Sequence, residues 1–196
     1  GHLDPAEAEK LVKCNFPGLK NPSKPRPRIL ADVPPRKSSE GLVVTDKEAT
    51  NPVVEVYYSY KPSQVESTVA DYRYSLVKAL FRTMLSQRMQ ELAQQPSPPF
   101  IYGASNIGSW ARGYEVFNSF AYIGQAGPEA AIYAVLQENE RARRYGFTAP
   151  ELERTKKMFL KNIERAYNER DKTESNALAE EYIRNFLESE PMPGIE

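Results

Sequence analysis

The chain has 196 residues, with 26 Lys and Arg against 26 Asp and Glu, so its formal net charge is zero. That balance excludes the basic surplus of an ordinary nucleic-acid binder, and no run approaches the roughly 18–20 apolar residues of a membrane span. One histidine, His2, and one cysteine, Cys14, exclude a histidine-built zinc site and an internal disulfide within these residues, and the single imidazole, at the chain start where ends fray, is expected to be chemically idle.

Residues 4–16 read as a short helix. Asp4 caps it, Pro5 suits its first position, and Ala8, Leu11, Val12 and Phe16 form an apolar stripe. So short a helix should dock on something larger, and Cys14 is expected to be buried with it. Prolines 17, 22, 25, 27, 34 and 35 then break up a basic stretch. They fix φ and remove donors, which predicts an extended connector.

From residue 42 the pattern becomes globular. Leu42–Thr45 and Val53–Tyr60 are strand-like. In the second, Val54, Val56, Tyr58 and Tyr60 share one face. Ser67 or Thr68 opens a helix to about Gln94. Its apolar residues, from Val69 and Tyr72 through Leu85, Met89 and Leu92, predict one wide buried face. Phe100–Gly108 and Tyr114–Ile123 predict a hairpin around Ala111-Arg112-Gly113. A helix from Gly127-Pro128 to Gly146 should turn Ile132, Val135 and Leu136 inward. Thr148 and Glu151 form a capping box for the next helix, which carries Leu152, Phe159, Ile163 and Tyr167 in step. A last helix spans about 173–188, with Leu178, Tyr182, Ile183, Phe186 and Leu187. Strands mixed with long helices predict an α+β, two-layer sandwich: a mostly antiparallel sheet with helices on one face.

Candidate chemistry is sparse. Tyr57, Tyr58 and Tyr60 are candidate peptide-contact residues, since tyrosine pairs an apolar body with a polar tip; a packing role fits half the set. The cluster of Glu138, Glu140, Arg141, Arg143 and Arg144 is compatible with an anion clamp. A helix end balancing its dipole explains the same residues. Glu180-Glu181 and Glu188/Glu190 read as a solvated face. Gly103-x-x-x-x-Gly108 lacks the Lys-Ser/Thr of a phosphate loop.

Taken in order, several segments resemble the pitrilysin/insulinase-type (inverzincin) zinc metallopeptidases, whose relatives include mitochondrial processing peptidase. Gly1-His2-Leu3-Asp4-Pro5 resembles the family's Gly-Asp-x-Asp junction, with His2 departing from the usual acid. Phe16-Pro17-Gly18-Leu19 and the prolines resemble its linker. Met84-Leu85-Ser86-Gln87-Arg88-Met89 is similar to the helix ending Leu-x-x-Arg-Leu. Tyr145-Gly146-Phe147-Thr148-Ala149-Pro150-Glu151-Leu152 matches Gly-Phe-Thr-x-x-Glu-Leu most specifically.

The resemblance implies a β-α-β-β-α-α core and a non-catalytic domain fragment. Residues 1–16 would be the terminal helix of a preceding domain, 17–41 a linker, and 42–196 a domain incomplete at its C-terminus. The family's His-x-x-Glu-His motif is missing from this sequence, so no catalytic, cofactor-binding or metal-ligating role transfers to any position. Zinc is implied for the catalytic domain of the parent chain, which is the implied partner, together with unstructured peptide substrate. The implied role is to enclose peptides for a zinc endopeptidase; the alternative is an inactive scaffold or interaction subunit. A periplasmic or cell-envelope address follows from the same resemblance.

Overall fold

The computed structural model describes residues 4–27, 29, 32–34, 36–58, 61–62, 67–111, 113–192 and 194. They divide into two compact units, Gly1–Val33 and Pro34–Glu196.

In the first unit, α1 spans Pro5–Asn15, and the Asp4 carboxylate accepts the Ala6 N–H at 2.9 Å. Leu11, Val12 and Phe16 are exposed, and Cys14 is exposed rather than buried as expected. Charged residues flank so few apolar ones on this short helix that no side of it is closed off. The described residues after it carry no helix or strand until Val53.

The second unit corrects another expectation. Leu42–Thr45 is not a strand, and Leu42, Val43 and Val44 are exposed. β-branched residues favour a strand only where a neighbouring strand supplies hydrogen bonds and packing, and among the described residues no strand pairs with them. The regular elements are β1 (Val53–Tyr57), β2 (Lys61–Pro62), α2 (Val69–Ala93), β3 (Tyr102–Ala111), β4 (Tyr114–Tyr122), α3 (Gly127–Tyr145), α4 (Ala149–Asn168) and α5 (Ser175–Glu188), with a single 3₁₀ turn at Arg170–Lys172. The β-α-β-β-α-α order is present.

β4 is the centre of an antiparallel sheet. β3 pairs along its length, from Tyr102 opposite Tyr122 to Ala111 opposite Tyr114. β1 and β2 share the other side of β4, with Val53 opposite Tyr122 and Lys61 opposite Glu115. Side chains alternate across such strands. Phe117, Ser119 and Ala121 therefore face α2 and α3, while Asn118, Phe120 and Tyr122 face away.

The core lies between sheet and helices and is built on Leu85, Met89, Phe100, Ala121, Ala131 and Val135. Phe81 stands edge-on to Phe117 and to Phe147, with centroids 5.9 and 5.6 Å away. Burial within α2 is confined to its C-terminal half: Met84, Leu85, Arg88 and Met89 are buried, whereas Val69, Tyr72 and Val77 are exposed. The face of α3 also differs from expectation. Ala131, Val135, Glu138, Asn139 and Ala142 point inward, and Ile132 and Leu136 are exposed. Two polar residues belong to the buried face, which shifts it from where the larger aliphatics alone would place it. Thr155 is the buried residue of α4; α5 has none, and its Tyr182 and Phe186 are exposed.

A side-chain hydroxyl ties α2 to the sheet. The Ser86 hydroxyl accepts the Ser105 backbone N–H at 3.1 Å and donates to the Ser105 carbonyl at 3.2 Å. Gly103 lies beneath the buried Phe100 ring, where an added Cβ would stand 2.9 Å from Phe100 Cε2. Gly103 and Gly108 both lie within β3, so they form no loop.

Candidate functional site

β1 separates the tyrosines that the sequence groups together. Tyr57 and Tyr58 are adjacent, so the strand sends them to opposite faces; Tyr60 lies outside the described residues. Tyr57 is exposed, and its hydroxyl donates to Glu55 Oε2 at 2.9 Å. That hydrogen bond, with a smaller contribution from burial, raises the phenol above its ordinary value.

Tyr58 turns inward. Its ring lies 5.0 Å from Phe117, and its hydroxyl accepts Asn139 Nδ2 at 3.0 Å. The bond belongs to a buried polar chain. Asn139 Nδ2 and Oδ1 meet the Ser119 hydroxyl at 2.9 and 3.1 Å, and Ser119 Oγ is 2.7 Å from Ser105 Oγ. The chain runs from Tyr58, just past the end of β1, through α3 to β4 and β3, and its closed hydrogen bonding makes it a packing device.

The face left open is the outer side of the sheet. Cross-strand partners share a face, so Val53, Glu55 and Tyr57 line up with Tyr122, Phe120 and Asn118, and Tyr102 joins Tyr122 from β3. Tyr102, Phe120 and Tyr122 form a ring cluster with centroid separations of 5.9, 6.3 and 6.0 Å. Tyr57, Tyr102 and Tyr122 are exposed, offering aromatic bodies with hydroxyl tips. Sequence reasoning missed Tyr102, Phe120 and Tyr122. The signal was the alternation within Tyr114–Ile123, which sends Phe120 and Tyr122 to the side opposite Ser119 and Ala121 while Phe117 stays with the core.

The charged cluster at the end of α3 divides in two. Glu140 lies outward and takes Arg143 Nε at 2.7 Å and Arg144 Nε at 2.5 Å. These bonds, Arg143's first, hold its carboxyl at about 2. Glu138 instead points into the fold and meets Arg88 at 3.3 Å. Arg88 is a buried hub. It donates to Glu151 Oε1 and Oε2 at 2.5 and 2.9 Å and to the Gly146 carbonyl at 3.0 Å, and it stacks 4.5 Å from the Phe147 centroid. The Glu151 bond is the leading cause that raises Arg88 above its ordinary value, outweighing desolvation. Arg88 in turn holds Glu151 at about 2. These charges join α2, α3 and α4, with the carboxylates of Glu138 and Glu151 both held by guanidinium groups.

Among the described residues no three His, Cys, Asp or Glu side chains are grouped so as to hold a metal ion. His2 lies outside the described residues. At the C-terminal end, Glu190 pairs with Arg184 at 2.8 Å on the surface.

The family description "Peptidase M16 inactive domain" matches residues 1–159. A zinc protease PQQL-like protein of Arabidopsis thaliana is 28% identical over 186 residues, covering 95% of this chain and 16% of that protein. The periplasmic protease PqqL of Escherichia coli superposes with a TM-score of 0.80 at 18% identity, over 98% of this chain and 21% of its own. The structure of the first half of PqqL gives 0.75 at 19% identity, over 98% of this chain and 41% of its own. The chain therefore spans about a fifth or less of the full-length proteins it matches. At these identities the two solved structures show a shared fold.

Proposed function

Because the chain belongs to the inactive-domain family of peptidase M16, we propose that it is a non-catalytic wall of a zinc metalloendopeptidase, enclosing unstructured peptides for a catalytic domain elsewhere in the same protein. The observation that carries this reading is the open aromatic face of the sheet, where Tyr102, Phe120 and Tyr122 cluster and Tyr57 lies further along the same face opposite Asn118. Extended peptides can lie across such a surface, gaining apolar contact from the rings and hydrogen bonds from the hydroxyls. Tyr58 supports that surface from below, and Tyr60 continues the same segment.

In this reading the zinc belongs to the catalytic domain, where it would activate water for peptide hydrolysis. Residues 17–41 act as the connector from a preceding domain that ends with residues 1–16, and 42–196 form the wall. The PqqL likeness favours a periplasmic or cell-envelope address.

The test is peptide cleavage by the whole protein. Tyr57→Ala and Tyr122→Ala should raise KM for an unstructured peptide several-fold and leave kcat nearly unchanged, the pattern of lost uniform binding. Unchanged KM in both variants would remove the wall from contact with substrate. No cleavage by the zinc-loaded wild type would return the chain to a scaffold role.

A further inference from the structure

Between the C-terminal turn of α2 and the N-terminal two-thirds of α3 lies a cleft of about 420 Å³. One face of α3 lines it: Ala130, Tyr133, Ala134, Gln137, Glu138 and Arg141, spaced at three and four residues. The two alanines create the space. Leu92 and Pro99 form an apolar wall opposite, and Gln95 adds an amide.

Three observations define what this cleft suits. First, the Glu138 side chain is only 6% exposed. Its two cationic contacts are long, 3.3 Å to Arg88 and 3.4 Å to Arg141, against about 2.7–2.9 Å for a well-formed pair. Arg88 directs its shorter bonds to Glu151. Second, Arg141 is 60% exposed, so it is a weakly held, hydrated partner of a desolvated carboxylate. Third, α2 ends beside the cleft with no basic residue in its last turn, so no cation of its own last turn complements the negative pole of the helix. Arg141 shows that a guanidinium fits at Glu138.

We propose that the cleft binds the guanidinium of a peptide's arginine side chain, which takes the place of Arg141 at Glu138 Oε2. The planar group lies against the Tyr133 ring, its outer nitrogens donate to the Gln95 and Gln137 amide oxygens, and the aliphatic stem runs along Leu92 and Pro99. This goes beyond the enclosure of peptides and rests on that reading only for the source of the arginine.

The test is an NMR titration of the 196-residue chain with N-acetyl-arginine amide, and with N-acetyl-citrulline amide as the neutral isostere. The arginine probe should give saturable shifts at the amides of residues 130–141, and citrulline should bind about tenfold more weakly for want of the charge. Arg141→Ala should tighten arginine binding about threefold by removing the internal competitor. Ala134→Leu should fill the cleft and abolish the shifts; Ala130→Leu replaces it if that variant unfolds. No saturable shift in either wild type or Arg141→Ala would overturn the proposal. So would equal binding of citrulline, or undiminished binding with the cleft filled. A nine-residue peptide with one internal arginine separates the sources: binding at the same residues supports a peptide side chain, and binding of the capped amino acid alone overturns that source. Wild-type cleavage kinetics with Tyr57 and Tyr122 variants test the enclosure reading independently, on another face of the domain.

Discussion

Arg88 and Glu151, 63 residues apart in sequence, meet fork to fork, with Nε and a terminal nitrogen 2.5 and 2.9 Å from the two carboxylate oxygens. The same Glu151 Oε2 also accepts the Thr148 N–H at 2.6 Å and its hydroxyl at 2.7 Å. One carboxylate thus caps α4 and clamps it to α2. Removing a partner leaves charge stranded in a water-poor place, which is why the junction should be sensitive to single changes.

Arg88→Ala is expected to destabilise the protein by about 3–5 kcal/mol, the cost of leaving buried carboxylates unpaired. Arg88→Lys should recover only part of this, because an ammonium cannot span both Glu151 oxygens and stack on Phe147. Urea unfolding followed by circular dichroism measures both; a loss below 1 kcal/mol for the alanine variant would show that the junction is not needed for folding.

Glu151 also predicts an acid limb. Its carboxyl titrates at about 2 in the fold against 4.5 ordinarily. As pH falls, the unfolded chain takes up that proton first, so stability is intact above about 4.5 and is lost as pH falls toward 2. Glu151→Gln should be less stable at neutral pH and show a flatter decline across that window. Glu140 is held equally low but lies at the surface with its side chain 39% exposed, and Glu140→Gln should leave the limb almost unchanged. Equal slopes for wild type and Glu151→Gln would be inconsistent with the pairing.

Asn139→Ala should cost about 1–3 kcal/mol, because the buried Ser119 hydroxyl is left with Ser105 alone and the Tyr58 hydroxyl loses the Asn139 amide. The amide protons of β4 near Ser119 should exchange faster with solvent. Unchanged exchange there would mean the polar chain does not tie α3 to the sheet.

Gly103→Ala should cost about 1–3 kcal/mol by overpacking, since the new Cβ would stand 2.9 Å from Phe100 Cε2 and that ring is fully buried. A melting temperature equal to wild type would show that the ring gives way freely. Phe100→Leu combined with Gly103→Ala should relieve the crowding, although the smaller side chain leaves its own cavity.

Much of this fold is legible in local signals. Thr148 and Glu151 announce the start of α4, and Thr68 with Asp71 does the same for α2. The hairpin of β3 and β4 follows from alternation alone. Leu42–Thr45 misleads because strand-like composition says nothing about whether a partner lies alongside. Arg88 is hidden because a charge inside the run from Met84 to Met89 reads as solvent-facing. Its place between Leu85 and Met89 was the available clue, as was Glu138 three residues after Val135. Tyr57 and Tyr58 look like one patch in sequence, but the strand's period of two parts them. The candidate peptide surface depends on rings from β1, β3 and β4, and that meeting is fixed only by sheet register.

The Ser86 hydroxyl, bonded to both backbone groups of Ser105, has a consequence for solubility. β3 is an outer lane, and exposed backbone along such a lane can template another chain. A strand sliding onto it from a second molecule would have to break both bonds midway. Zippering between molecules is therefore interrupted after a few residues, and this sheet is guarded against fibrillar growth by a side chain from its own helix.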